Sequence, residues 1–310
     1  MNELVLIDGN SLLFKAYYAT AAMGNLMVNK DGIPTNAVFG FANMLQKILE
    51  RQAKYVIVAF DYGKKTFRND LMDEYKATRK ATPDELKCQF SMVREFLDAY
   101  QIPYYELEGY EGDDLIGTLS ALGEKEGLNV SIFTGDKDAF QLVSSKTTVY
   151  RTVKGVTQLD VYTPEIIQEK YGLEPDQIRD FLGLMGDSAD NIPGIKGVGE
   201  KTALKLLHQY KTIEGLKEHQ DEIKGKMGEK IRENIDLGLQ SKMIATILRD
   251  VDMELDLKQA TYNGYDFDKL KAFYQKYDMN SLIKKISVES RPQHIPDFQY
   301  EIVEKMPTIS

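Results

Sequence analysis

One cysteine in 310 residues, Cys88, leaves the chain no internal disulfide and suits a reducing compartment. Three scattered histidines, His208, His219 and His294, make no zinc-ligand pattern. No apolar run approaches the ~20 residues that cross a bilayer. The N-terminus, Met1-Asn2-Glu3-Leu4-Val5-Leu6-Ile7-Asp8, has no basic segment ahead of its short apolar stretch and does not read as a signal peptide. A cytoplasmic setting is expected, with no membrane partner. Nor is there an excess of positive charge: 39 Lys and Arg against 48 Asp and Glu give a formal charge of −9, so global charge argues mildly against a nucleic-acid partner. Acids that hold divalent cations are locally neutralised, however, and basic residues can be concentrated where phosphate lies.

What is present is an ordinary globular composition, 43% hydrophobic and 28% charged, in a chain long enough for two domains. Leu4–Ile7, Tyr55–Phe60 and Asn129–Phe133 are short apolar runs of the kind buried on both faces of a sheet. Amphipathic stretches separate them; in Asn36–Arg51, Val38, Phe41, Leu45 and Ile48 recur at helical spacing. The alternation predicts an α/β unit over residues 1–162, a mostly parallel sheet flanked by helices. From about Tyr162 the pattern becomes helical, opening on Thr163-Pro164-Glu165 as N-cap and first-turn proline, and residues 163–286 are expected to be all-α. Residues 287–310, with three prolines and no clean period, read as a linker or tail.

Each predicted strand ends on acid: Asp8 follows the first, Asp61 the second, and Asp136 with Asp138 the third. Ligands of open α/β sheets sit outside the carboxyl ends of the strands, so these acids should converge on one edge. Two further groups stand out. Glu111-Gly112-Asp113-Asp114 opens a predicted helix 112–126, and Gly186-Asp187-Ser188-Ala189-Asp190 lies where the helical region begins. On a helix Asp187 and Asp190 would share a face. Singly, such acids are turn residues, N-caps or solvated surface. Together they would repel one another unless cations held them. Oxygen-only ligands suit Mg²⁺ or Mn²⁺, and two such ions about 4 Å apart serve phosphodiester cleavage by activating water and stabilising the leaving oxygen.

The stretch Asn191–Ala203 nearly matches a nucleotide-binding P-loop, but Glu200 separates Gly199 from Lys201-Thr202 and no strand precedes it. A helix-hairpin-helix turn fits better. There Gly194, Gly197 and Gly199 let backbone N–H groups approach a DNA phosphate at the helix N-terminus that Lys201 and Thr202 follow. Such contacts hold duplex without reading its sequence. A plain tight turn between helices remains open. Within Phe67–Lys80, the cations Lys76, Arg79 and Lys80 cluster beside Tyr75. Near the sheet edge they could hold a scissile phosphate while Tyr75 stacks on an unpaired base; otherwise they form a solvated helical face.

Taken together, Leu6–Ser11, Gly32–Phe41, Ala59–Asp61, Tyr75–Arg79, Gly109–Asp114, Thr134–Asp138 and Gly186–Gly194 resemble, in order and spacing, the 5′-nuclease domain of bacterial DNA polymerase I within the flap-endonuclease family. The resemblance runs from residue 4 to about 286. It implies a PIN/resolvase-like sheet with a helical arch, followed by a helix-three-turn-helix unit. It assigns Asp8, Asp61, Glu111, Asp113, Asp114, Asp136, Asp138, Asp187 and Asp190 to a two-metal site. Lys76 and Arg79 would lie at the base of the arch, on the scissile phosphate. The glycine turn would grip the downstream duplex with a bound K⁺. Lys15 stands where many relatives carry arginine, keeping the charge but losing the bidentate fork. The implied substrates are flapped or nicked duplex DNA and RNA–DNA junctions, cut in primer removal and repair by a monomer in the bacterial nucleoid, and the tail resembles the connection to a polymerase.

Two other classes share part of this pattern. A catalytically idle junction-binding module would need the glycine turn but not a full set of acids. A small-molecule phosphohydrolase would need strand-end acids but not the glycine turn.

Overall fold

The computed structural model describes residues 2–24, 26–154 and 158–289. Its centre is a six-stranded sheet: β1 (Glu3–Asp8), β2 (Tyr55–Ala59), β3 (Tyr104–Tyr105), β4 (Asn129–Thr134), β5 (Thr147–Lys154) and β6 (Gln158–Tyr162). The spatial order is β3-β2-β1-β4-β5-β6, parallel throughout except for β6, which pairs antiparallel with β5. From β1 the chain moves first to one side, to β2 and β3, and later to the other, to β4. The switch point of the sheet therefore lies at the carboxyl end of β1, where a parallel sheet leaves a crevice for ligand.

Helices α1 (Gly9–Ala21), α2 (Asn36–Leu49), α3 (Phe67–Leu71), α4 (Asp84–Ala99) and α5 (Gly112–Lys125) connect these strands. Strand side chains alternate between faces. Val5 and Ile7 pack with Leu12, Phe41 and Phe96 of α1, α2 and α4, while Leu4 and Leu6 pack with Leu115 and Leu119 of α5. The second half forms α6 (Pro164–Tyr171), α7 (Ile178–Met185), α8 (Glu200–Tyr210), α9 (Ile213–Glu218) and α10 (Gly225–Ala245). Thr163 caps α6 by accepting from the N–H of Ile166, with Pro164 at the first position, as the sequence predicted. The apolar interior of these helices is continuous with the α5 face of the sheet.

Three expectations are corrected here. The last helices, α11 (Phe267–Lys276) and α12 (Asn280–Glu289), fall within the stretch expected to form one helical unit but do not join the apolar cluster of α6–α10. Leu270, Phe273, Tyr274, Leu282 and Ile286 join the α1/α2/α4 side of the sheet, where the Phe273 ring centre lies 5.6 Å from that of Phe96. Helical periodicity marks a buried face but not its partner. Second, the stretch expected as a helical arch is helical only at its ends, because Met72–Pro83 between α3 and α4 is turn and coil. Third, α12 extends into the expected tail as far as Glu289; the remainder of the tail lies outside the described residues.

After α10 the chain runs extended across α5 at one close point. A Cβ on Gly117 would stand 2.3 Å from the carbonyl oxygen of Leu248 and 2.7 Å from Ile247 Cγ2. Alanine in an exposed helix would stabilise by up to ~1 kcal/mol. Gly117→Ala should instead destabilise by about 1–3 kcal/mol, through overpacking against backbone. A urea midpoint at or above that of the wild type would refute the close approach.

Candidate metal centre and nucleic-acid cleft

The acids come from the carboxyl ends of β1, β2 and β4, from the start of α5 and from the turn after α7. Asp8, the last residue of β1, caps α1: its Oδ1 accepts from the N–H of Ser11 at 3.0 Å and its Oδ2 from Thr134 Oγ1 at 2.7 Å. Asp61 lies just past β2, held by its N–H donating to Asn10 Oδ1 and its Oδ1 accepting from the N–H of Gly112 at 2.7 Å. Asp136 caps a short 3-10 helix, Lys137–Leu142, by accepting from the N–H of Asp138 at 2.9 Å. Asp187 and Asp190 lie on a turn closed by pairing of Asp187 with Ile192, not on a helix. They still converge, since ligand oxygens of Asp138, Asp187 and Asp190 lie within 4.8 Å of one another.

Glu111 caps α5, and its two oxygens face a basic turn. Oε1 accepts from Lys76 Nζ at 2.9 Å and Oε2 from the Tyr75 hydroxyl at 3.3 Å. The Arg79 guanidinium donates to Asp190 Oδ1 through Nε at 2.9 Å and through Nη2. Two hydrogen bonds join the two loops: the backbone N–H of Lys76 donates to the Asp190 carbonyl, and the Asn191 side-chain amide to the Glu74 carbonyl. Lys76 takes a left-handed φ of 58° to do this, a local cost sustained by surrounding contacts and common at functional sites.

Burial dominates the electrostatics. Asp8 is pushed up from 3.8 to about 7, by desolvation first and then by Asp61 and Asp136 against its hydrogen bonds. Desolvation also raises Asp61, Asp113, Asp136 and Asp138. At Asp113 the nearby charges of Asp8, Asp136, Glu111 and Asp61 all act in the same direction. Lys76 and Arg79 are raised although burial opposes it, because Glu111 and Asp190 favour their charged forms. Like charges crowded out of water and only partly offset by two cations fit a site for divalent cations. The donors are all carboxylate oxygens, which suits a hard cation.

Eight of the nine predicted acids thus meet in one cleft of about 1450 Å³. Asp114 is the exception. Fully buried, it faces away from the cleft, and both its oxygens are taken by Arg68 at 2.7 and 2.8 Å. One residue further along the helix than Asp113, it is rotated by about 100° and so points out of the cleft. Tyr75 lines the cleft as well, but it is only 5% exposed with its hydroxyl donating to Glu111, which leaves little of its ring open to a stacking base. Lys15 and Lys80 line the cleft, and Lys15 Nζ donates to the Val153 carbonyl. Arg151, absent from the sequence reading, lines it too and donates to the Gly135 carbonyl. Strand pairing brings Arg151 there, and nothing local in the sequence marks it.

The glycine turn joins α7 to α8 outside the cleft lining. Gly197, Gly199 and Lys201 are exposed at the start of α8, with Thr202 half-buried. Gly194 is a correction. It is buried, its N–H donates to Ser241 Oγ, and its φ of 61° packs it so closely on Gly186 that a Cβ would lie 2.4 Å from the Gly186 nitrogen. It supports the turn from inside and offers no N–H to phosphate.

An oxygen-only acid cleft at the switch point of a parallel sheet, joined to a helical unit with an exposed glycine turn, has the form of a metal-dependent nuclease. Residues 3–172 match the family model of the 5′-3′ exonuclease N-terminal resolvase-like domain, and residues 173–268 that of the 5′-3′ exonuclease C-terminal SAM fold. The chain belongs to the 5′-3′ exonuclease family. It is 49% identical over 290 residues to DNA polymerase I of Bacillus subtilis, and 50% identical over 291 residues to that of Geobacillus stearothermophilus. Each match covers 93% of this chain, which spans about a third of the length of those relatives, 32% and 33%. Among solved structures, the T5 5′-exonuclease with bound zinc aligns at a TM-score of 0.61 and 20% identity, covering 93% of this chain and 98% of that one. The catalytic core of Rad2 in complex with DNA substrate aligns at 0.61 and 16%, covering 93% and 91%. At such identity these two establish likeness of fold.

Two measurements test the site. Between the ordinary 3.8 and about 7 the folded protein binds a proton at Asp8 that the unfolded chain releases, so rising pH removes stability across that interval. The other raised acids act in the same sense. In EDTA the melting temperature should fall from about pH 5 to about pH 8, and divalent cation should restore more at the higher pH. A rise over that range would contradict the crowding. Separately, Asp114→Ala should cost about 3–5 kcal/mol of stability by stranding Arg68, whereas Asp113→Ala should leave the metal-free protein at least as stable as the wild type. Equal effects on urea denaturation would remove the distinction.

Proposed function

We propose that the chain is a structure-specific 5′ nuclease, both 5′-3′ exonuclease and flap endonuclease, acting on flapped, nicked or branched duplex DNA and on RNA–DNA junctions. The observation that carries this reading is the convergence of eight carboxylates beside a basic wall in one cleft. A volume of about 1450 Å³ exceeds the roughly 300–1,000 Å³ of small-molecule sites, which favours a polymer substrate over a small phosphate ester. The full complement of cleft acids disfavours an idle junction-binding module. The metals are two Mg²⁺ ions, with Mn²⁺ able to replace them, as the oxygen donors suggest.

When bound, the ions supply a water of lowered pKa and stabilise charge on the leaving 3′-oxygen. The protein's own groups set the geometry. Asp138, Asp187 and Asp190 bring their oxygens together at one point of the cleft, and Asp136 lies within reach of both their charges and those of Asp8 and Asp113. Lys76 and Arg79 present their donors between these groups, where they neutralise charge on the equatorial phosphate oxygens. Lys15 and Lys80 extend the basic wall to neighbouring phosphates. The exposed start of α8, with Gly197, Gly199, Lys201 and Thr202, receives phosphates of the downstream duplex at a helix N-terminus, with K⁺ at the turn. Cleavage leaves a 5′-phosphate and a 3′-hydroxyl. The likeness to DNA polymerase I supports a place as the nuclease domain of a longer polymerase, acting as a monomer in the cytoplasm in primer removal and repair.

A 5′-end-labelled flap duplex tests this directly. Wild type with Mg²⁺ should release a short labelled product, EDTA should abolish it, and Asp136→Ala should cut ~10³-fold more slowly or worse, the loss of several kcal/mol in the transition state. Near-normal cutting by Asp136→Ala would overturn the site, and tight binding without cutting would favour the recruitment module.

A further inference from the structure

We propose that Arg68 is a positioning residue for the metal site, one that ties Glu111 to the chain leaving the helical unit; the proposal rests on the nuclease reading. Arg68 is only 2% exposed, and its donors are spent in two directions. Towards α5, Nη1 and Nη2 grip the two oxygens of Asp114. Towards the helical unit, Nε donates to the Ile244 carbonyl at 2.7 Å and Nη2 to the Thr246 carbonyl at 2.8 Å. Asp114 passes the constraint on, since its Oδ2 also accepts from the N–H of Glu111 at 3.1 Å and its Oδ1 from the N–H of Leu248 at 3.0 Å. Glu111, fixed in this way, presents its carboxylate to Lys76 and the cleft.

The last turn of α10 and the chain just beyond it, residues 244–248, are gripped from both sides. Residues 244, 246 and 248 bond Arg68 and Asp114, while residues 245 and 247 bond Gln141: its Nε2 donates to the Ala245 carbonyl and its Oε1 accepts from the N–H of Ile247, both at 2.9 Å. Gln141 lies on the same 3-10 helix as Asp138. Both acid-bearing elements are therefore registered against one segment, and that segment continues the helix that supports the glycine turn through Ser241. A buried ion pair is a weak source of net stability. A planar fork with four fixed bonds instead specifies distance and direction. Displacement of α10 by bound duplex would thus reach Glu111 through two side chains.

The test is Arg68→Lys, which keeps the charge and loses the fork, alongside Gln141→Met, which releases the other edge of the segment. Mn²⁺ binding is titrated without DNA by electron paramagnetic resonance, and steady-state flap cleavage is measured at a temperature where melting curves show each variant folded. Arg68→Lys should raise the half-saturating Mn²⁺ concentration and lower kcat, each by about tenfold, as loss of an outer-shell partner does. KM for the flap should stay within about twofold. Gln141→Met should move both quantities the same way by less, and it carries the test alone if Arg68→Lys does not fold. Folded variants with the wild-type Mn²⁺ curve and kcat would overturn the proposal, leaving Arg68 a structural clamp. Failure of the wild type itself to cut the flap would instead overturn the nuclease reading.

Discussion

Carboxylates brought together out of water repel one another and lose hydration at the same time, and the rest of this structure is arranged around that cost. The parallel sheet sets the problem by ending β1, β2 and β4 on the same edge, with Asp8, Asp61 and Asp136 at or just beyond their carboxyl ends. Desolvation raises these acids and their neighbours Asp113 and Asp138. Backbone N–H groups at the starts of helical segments and the side chains of Lys76 and Arg79 offset part of the charge. What is left uncompensated is a cluster of negative charge that suits divalent cations.

The same constraint explains why the helical unit cannot be a loosely tethered accessory. Two of the acids, Asp187 and Asp190, come from the turn after α7, and the loop carrying Lys76 and Arg79 is fastened to that turn by a backbone bond and by the side chains of Arg79 and Asn191. The site is completed only when the two units pack, which accounts for an apolar core running without a break from α5 into the helices. Arg68, Asp114 and Gln141 add polar register to that contact. Carboxylates that are to share ions must be held to within about 0.5 Å, and apolar packing alone fixes position less tightly than directional bonds do.

Much of this was legible in the sequence because it is local. Strands of apolar β-branched residues, the periodicity of Asn36–Leu49, the Thr163-Pro164 cap and the placing of acid after each strand follow from backbone preferences within a few residues. The convergence of Asp8, Asp61 and Asp136 followed from parallel topology. Asp187 and Asp190 converge as anticipated, although a turn rather than a helix brings them together.

The sequence by itself determined the α/β pattern, the list of acids and the chemistry their oxygens allow, because strand alternation and ligand type are properties of short segments. Only the tertiary structure decided which acids face the cleft. Asp113 and Asp114 are adjacent and chemically identical, yet helix geometry turns one to the cleft and the other to Arg68. In the same way, packing buried Tyr75 and Gly194, brought Arg151 into the cleft wall, and returned α11 and α12 to the sheet. In each case the deciding partner lies far away in the chain, and one-dimensional spacing carries no information about which of several apolar or charged surfaces a side chain will meet.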